Sequence, residues 1–167
     1  MKMMKPAGWA GVLGVFLGVT VHGGVQDRSD VPDVMTKTIT EQLDDEIPGW
    51  TMVSAPACGP AGPASADIDS DKSLDVAMVV NTPGGEARIV VVLPRVVGGA
   101  VVHDLGPLAA VSGATHVVVV PLGTAVRDPG AMFDDYLSGP TFAAASCEKA
   151  LTAFPWAGTG FRQRPLR

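Results

Sequence analysis

Four aspartates alternate within a single short run. In residues 66–80, ADIDSDKSLDVAMVV, they are Asp67, Asp69, Asp71 and Asp75, at positions one, three, five and nine of a loop. Alternate spacing in a tight loop turns successive carboxylates to one side. Such an oxygen-rich cluster suits a hard cation, calcium above all, with a backbone carbonyl as a further ligand. The carbonyl near Ser73 is placed to supply it. Without a cation, four acids this close repel one another. The twelfth position is Met78, not the bidentate Glu of an EF-hand, and an apolar run follows where an EF-hand continues as a helix. The ladder therefore reads as a metal loop that feeds a strand, with Asp67, Asp69, Asp71, Ser73 and Asp75 as its ligands.

No catalytic set stands beside it. His103-Asp104 and His116 lie in or next to apolar runs, where a hydrogen-bonded core or edge histidine is the ordinary case. Ser112-Gly113 lacks the preceding glycine of a nucleophile elbow. Asp134-Asp135 are adjacent acids in a loop, a weak basis for a glycosidase pair. Gly84-Gly85 and Gly98-Gly99 sit in no phosphate-binding pattern and read as turn glycines. A hydrolase built on His103 or His116 remains a minor alternative.

The elements around the ladder are one helix and several strands. Ser29 and Asp30 can cap a helix with Pro32 in its first turn. Val31, Met35, Ile39, Leu43 and Ile47 then recur every four residues, opposite Lys37, Glu41 and Asp45. This predicts an amphipathic helix ending at Pro48-Gly49, its apolar stripe packed on the domain's own sheet. Strands are expected over Trp50 to Ala55, Asp75 to Asn81, Ala87 to Leu93, Ala100 to His103 and Thr115 to Leu122. Thr82 to Glu86 suits a hairpin loop, residues 56–65 and 123–141 read as loops, and 149–164 forms a last candidate hairpin. The uninterrupted valine runs point to strands buried on both faces or to a short-strand sandwich. The late aromatics, Phe133 to Phe161, read as a closing layer of the core or as an exposed ring patch.

The first residues carry a processing signal. Lys2 and Lys5 precede the uncharged stretch Ala7 to Val21, about as long as a secretory core and short of the roughly 20 residues of a membrane span. Cleavage near Gly23 is expected, with 1–23 a signal peptide, 24–30 a linker and 31–167 a single domain. No stable membrane anchor then remains. Cys58 and Cys147 are expected to form one disulfide in an oxidising compartment, periplasmic or secreted.

Composition narrows the partners. Of 167 residues, 12 are basic and 17 acidic, a formal charge of −5; losing Lys2 and Lys5 with the leader takes it to −7. Hydrophobic residues make up 47%, too many for a disordered chain, and the acidity excludes an electrostatic nucleic-acid binder. The small Arg162-Gln163-Arg164 cluster with Arg167 does not alter that. The fold class expected is α+β, mostly β, with an N-terminal helix on an antiparallel meander or small sandwich.

The aspartate run resembles the FG-GAP/VCBS-type loop, D-x-[DN]-x-D-G-x-x-D followed by an apolar strand. Asp67, Asp69, Asp71 and Asp75 fall on its ligand positions. The resemblance implies calcium binding, which in that family braces β-propeller blades of secreted and cell-surface proteins. Two departures stand out. Lys72 replaces the glycine at the sixth position, and there is one copy, so a smaller fold than a propeller must use it. The order of helix, Pro-Gly-Trp, aspartate loop, strands and C-terminal Cys147-Glu148-Lys149-Ala150…Phe154-Pro155-Trp156…Gly160-Phe161 is also similar to small bacterial exported proteins with no assigned activity. The function expected is an exported, non-enzymatic binding or structural module that carries a calcium loop and meets a protein partner. A periplasmic inhibitor or immunity protein, blocking a toxin or wall hydrolase, is the alternative.

Overall fold

A computed structural model of the chain describes residues 33–53, 58, 62–95 and 99–167. The expected signal peptide, its cleavage site, the linker and the helix cap at Ser29-Asp30 lie outside these residues.

Helix α1 spans Asp33–Glu46. It ends as its sequence dictates: proline cannot continue it, and Gly49 takes a φ of 78°, where a Cβ would sit 3.2 Å from Pro83. The indole of Trp50 turns back to donate to Asp44, 3.0 Å away. The stripe behaves as expected. Ile39 and Leu43 are buried, with Ile47 half-buried against the same cluster, while Lys37, Glu41 and Asp45 face water.

The rest is antiparallel β-structure. The strands are β1 (Thr51–Met52), β2 (Ala64–Ala66), β3 (Asp75–Asn81), β4 (Ala87–Pro94), β5 (Ala100–Pro107), β6 (His116–Val120), β7 (Ala125–Val126), β8 (Asp135–Tyr136), β9 (Thr141–Ala145), β10 (Ala150–Phe154) and β11 (Arg164–Pro165). One sheet runs β1-β3-β4-β5, with β2 also on β3; a second runs β11-β10-β9-β6; β7 and β8 form a short ribbon. β1 and β2 share one edge of β3, one against each half.

Alternation along the strands sorts the side chains into layers. Ala77, Val79, Ile89, Val91 and Leu93 of the first sheet meet Val117, Phe142, Ala144 and Phe154 of the second. The opposite face of the first sheet, Val76, Met78, Val80, Val90 and Val92, is covered by α1. The outer face of the second, Val120, Ala143 and Ala153, is covered by Val126 and Leu137 of the ribbon region and by Leu166. The fold is thus a sandwich with a helix on one outside face and a ribbon on the other. This explains the valine runs, since β3 and β4 have no wet face.

The short strands β7 and β8 fall within the stretch 123–141 expected as loop, and two further strands differ from expectation. β9, TFAAA, is buried at every residue, although it begins on the last residue of the expected 123–141 loop and continues into a stretch with no expected element, and β2, ASA, falls at the end of a Pro/Gly/Ala stretch. Alanine has little strand propensity, and only burial between neighbours makes these segments strands. β5 runs on past His103 to Pro107 through a bulge, where Gly106 at φ 104° lets Asp104 and Gly106 face consecutive residues of β4. The aromatics divide: Phe142 and Phe154 are core, Trp156 and Phe161 half-buried, Phe133 and Tyr136 exposed.

Cys58 and Cys147 are joined, Cα atoms 4.6 Å apart across 89 positions of sequence. The bridge ties the β1–β2 connection to the β9–β10 turn, and so one sheet to the other. In the chain-entropy view such a loop contributes about 4–5 kcal/mol. Reduction, followed by urea unfolding, is expected to lower stability by up to that amount. Leu43→Ala, which opens a hole under α1, is expected to cost about 2–5 kcal/mol in the same assay.

Candidate metal centre

The aspartate ladder is the connection between β2 and β3, a hairpin on the edge of the first sheet. Its path is tight. Ser70 and Lys72 both adopt left-handed backbone, φ 64° and 73°. Lys72 therefore holds the conformation that the loop's usual glycine adopts freely, and a side chain there costs about 1–2 kcal/mol. Its side chain lies exposed, which takes the ammonium toward water.

The turn is organised by carboxylates accepting from backbone amides. Asp67 Oδ2 accepts from the Lys72 amide at 3.1 Å, Asp69 Oδ1 from Asp71 at 3.1 Å, Asp71 Oδ1 from Ser73 at 2.7 Å, and Asp75 Oδ2 from Ile68 at 2.8 Å. Each aspartate is held by one oxygen, which fixes where its carboxylate stands. Asp67, Asp69 and Asp71 each offer an oxygen within 4.8 Å of the others, a spacing that could hold a metal ion. Asp67 Oδ1 and Asp75 Oδ1 are buried and have no hydrogen-bond partner among the described residues. A buried, unpaired carboxylate oxygen is costly.

Asp75 stands apart from the trio. It opens β3 with no exposed surface, on the strand face that looks into the sandwich. Burial pushes its carboxyl up to about 7; the negative charges of Asp69 and Asp71 add to this, and the amides of Ile68 and Asp69 oppose it. Ser73 takes part through its amide, the donor to Asp71.

The sequence gives no hint of Arg95. Its Nη1 lies 3.3 Å from Asp69 Oδ2, and the Asp69 side chain is only 5% exposed. The pairing crosses 26 positions of sequence and follows from β4 ending beside the turn. Arg95 is the loop's resident counter-charge, and it occupies the oxygen of Asp69 that its backbone bond leaves free.

The other chemistry-bearing residues are dispersed. His103 packs edge-on against Trp156 and Phe161, ring centres 5.5 and 5.4 Å away. Burial, then the charge of Arg95, lowers its pKa. His116 Nδ1 is 3.0 Å from the Thr115 hydroxyl, beside a small cavity lined by Met52, Val79 and Val117. Asp134 pairs with Arg127 and Arg167, and Asp135 with Arg164, so these neighbours are separately neutralised. Among the described residues, Asp67, Asp69 and Asp71 form the one group of three or more acids, histidines or cysteines spaced to hold a metal.

Comparison with known proteins finds no matching family model, no similar curated protein and no similar solved structure.

The raised pKa of Asp75 has a signed consequence for stability. The folded chain holds this proton up to about 7, whereas the unfolded chain releases it near 3.8. The contribution is complete below 3.8 and is lost as pH rises through the folded value. With a chelator present, the wild type is therefore expected to lose melting temperature relative to Asp75→Asn as pH rises across this window. Parallel curves for the two proteins would show that Asp75 ionises normally.

Proposed function

We propose that the protein is an exported, non-enzymatic β-sandwich module whose β2–β3 turn binds calcium. The observation that carries this reading is the turn itself: three carboxylates converge within 4.8 Å, and two buried oxygens, Asp67 Oδ1 within the trio and Asp75 Oδ1 next to it, lack a hydrogen-bond donor among the described residues. A divalent oxygen-seeking cation would offset both the mutual repulsion and the unmet polar demand. Asp67, Asp69 and Asp71 would be direct ligands. Asp75 would act directly or through water, and Ser73 would add its carbonyl. The match of these residues to the FG-GAP/VCBS-type loop supports calcium rather than another metal, as does an all-oxygen donor set. Magnesium holds its waters and demands stricter octahedral geometry, so it should compete poorly.

The disulfide supports a periplasmic or secreted location, where thiols are oxidised and calcium is plentiful. No helix among the described residues is long and apolar enough to cross a membrane. In this reading the ion braces the end of the sandwich where β3 begins, and a protein partner is met elsewhere on the surface.

A second reading rests on a different observation. Met132 and Phe133 are 84% and 80% exposed between β7 and β8. The segment is braced by Arg127–Asp134 at 2.7 Å and by Arg164 to Asp128 and Asp135 at 2.8 and 2.9 Å. A rigidly held apolar tip suits insertion into a partner's cleft, as an inhibitor or immunity protein requires.

Calcium affinity is expected in the 10⁻⁴ to 10⁻³ M order of extracellular modules. At ten times its dissociation constant, calcium should add roughly 1.4 kcal/mol to the folded state, read as a melting shift against excess chelator. Asp69→Ala should abolish that shift. Lys72→Gly should enlarge it and stabilise the metal-free protein by about 1 kcal/mol, because the left-handed strain is relieved. An unchanged wild-type curve with no calorimetric heat would leave only an acidic turn.

A further inference from the structure

A surface groove of about 470 Å³ lies on the far side of the ring cluster, between the C-terminal hairpin and the β7–β8 region. Its volume falls within the roughly 300–1,000 Å³ of small-molecule sites. One wall is apolar and rigid: Pro155 is followed by Trp156, whose indole packs edge-on in a three-ring cluster with His103 and Phe161, 5.5 and 5.1 Å away. A ring held this way loses little freedom on binding. The facing wall is fixed by charge. The Arg164 guanidinium, 16% exposed, bonds Asp128 at 2.8 Å and Asp135 at 2.9 Å, leaving both carboxylates largely open to the groove's solvent. Arg162 and Gln163 complete the lining, and among the described residues neither side chain has an ion pair or hydrogen bond.

We infer that this groove binds an oligosaccharide bearing a carboxylate, with a sugar ring on Trp156 and the acid on Arg162. The lining mixes acceptors (Asp128, Asp135), a donor (Arg162) and an amide that is both (Gln163). Hydroxyl groups, which donate and accept, match such a mixture, and a sugar ring presents an apolar face to an aromatic wall. The charges choose among sugars. Arg164 is already shared between two carboxylates, so Arg162 is the cation that remains to be met, and it suits one carboxylate. A phosphate dianion would meet one open cation beside two acids and is disfavoured. An added peptide strand would find the edge of β11 taken, because β10 pairs one side of this two-residue strand and Val126 and Arg127 already bond along the other. The site is independent of the calcium turn, and its failure would leave that reading untouched.

Calorimetric titration of the disulfide-bonded protein in chelator tests it, with trisaccharides of galacturonate, glucuronate and mannuronate as probes. Each is set against its methyl ester, which keeps the rings and removes the charge. At least one acid is expected to bind with a dissociation constant of about 1 mM or better, and its ester about tenfold more weakly. Arg162→Gln, at an exposed position, should weaken the acid to the level of the ester and leave the melting temperature unchanged. Trp156→Phe, which keeps a ring in the cluster, should weaken acid and ester alike. No heat from any of the sugars, equal binding of acid and ester, indifference to Arg162→Gln, or tighter binding of triglutamate than of every uronate would each overturn the assignment.

Discussion

Asp75 begins β3 with no exposed surface, in a strand whose next five residues are all buried and apolar. A carboxyl there must be neutralised by a proton, by hydrogen bonds or by a cation, because an isolated charge in such surroundings is heavily penalised. The turn before it supplies part of the answer. The Ile68 amide binds one oxygen, and the chain reaches that position only by passing through two left-handed residues, Ser70 and Lys72. The other oxygen has no donor among the described residues, and the acids above it add charge of the same sign. Loop strain, the resident Arg95 and the clustering of Asp67, Asp69 and Asp71 are parts of one electrostatic problem, which a divalent cation held by these acids would relieve.

The problem persists because the sandwich cannot yield there. β3 is covered by helix α1 on one face and by the second sheet on the other, and it pairs with β4 along six consecutive residues. Close-packed interiors transmit a displacement rather than absorb it. A turn attached to such a strand keeps its geometry, so a bound ion would find its ligands already placed. The disulfide adds to this from the side, fastening the segment before β2 to the second sheet.

How much could be read in advance follows from where each signal lives. The helix stripe and the β3–β4 hairpin are local patterns, and the structure places them where the residues imply; of the spaced aspartates it brings Asp67, Asp69 and Asp71 together and leaves Asp75 apart. β9 was not readable, because Thr141 to Ala145 becomes a central strand only through neighbours on both sides and both faces. Arg95 was not readable for a related reason: its partner Asp69 is close only after β2, β3 and β4 have assembled. Lys72 was visible as a departure from the loop's usual glycine, but only the backbone shows that the left-handed turn is kept despite it. The ring cluster of His103, Trp156 and Phe161 joins a mid-chain strand to the C-terminal hairpin, and no sequence spacing announces it.

The central claim is that the β2–β3 turn holds a cation through its aspartates. A crystal structure of the protein grown with millimolar calcium, with anomalous scattering to identify the ion, tests it most directly. The account predicts one calcium about 2.3–2.6 Å from oxygens of Asp67, Asp69 and Asp71, with Arg95 displaced from Asp69. Carboxylates held only by their backbone amides and by Arg95, with no ion among them at saturating calcium, would contradict it.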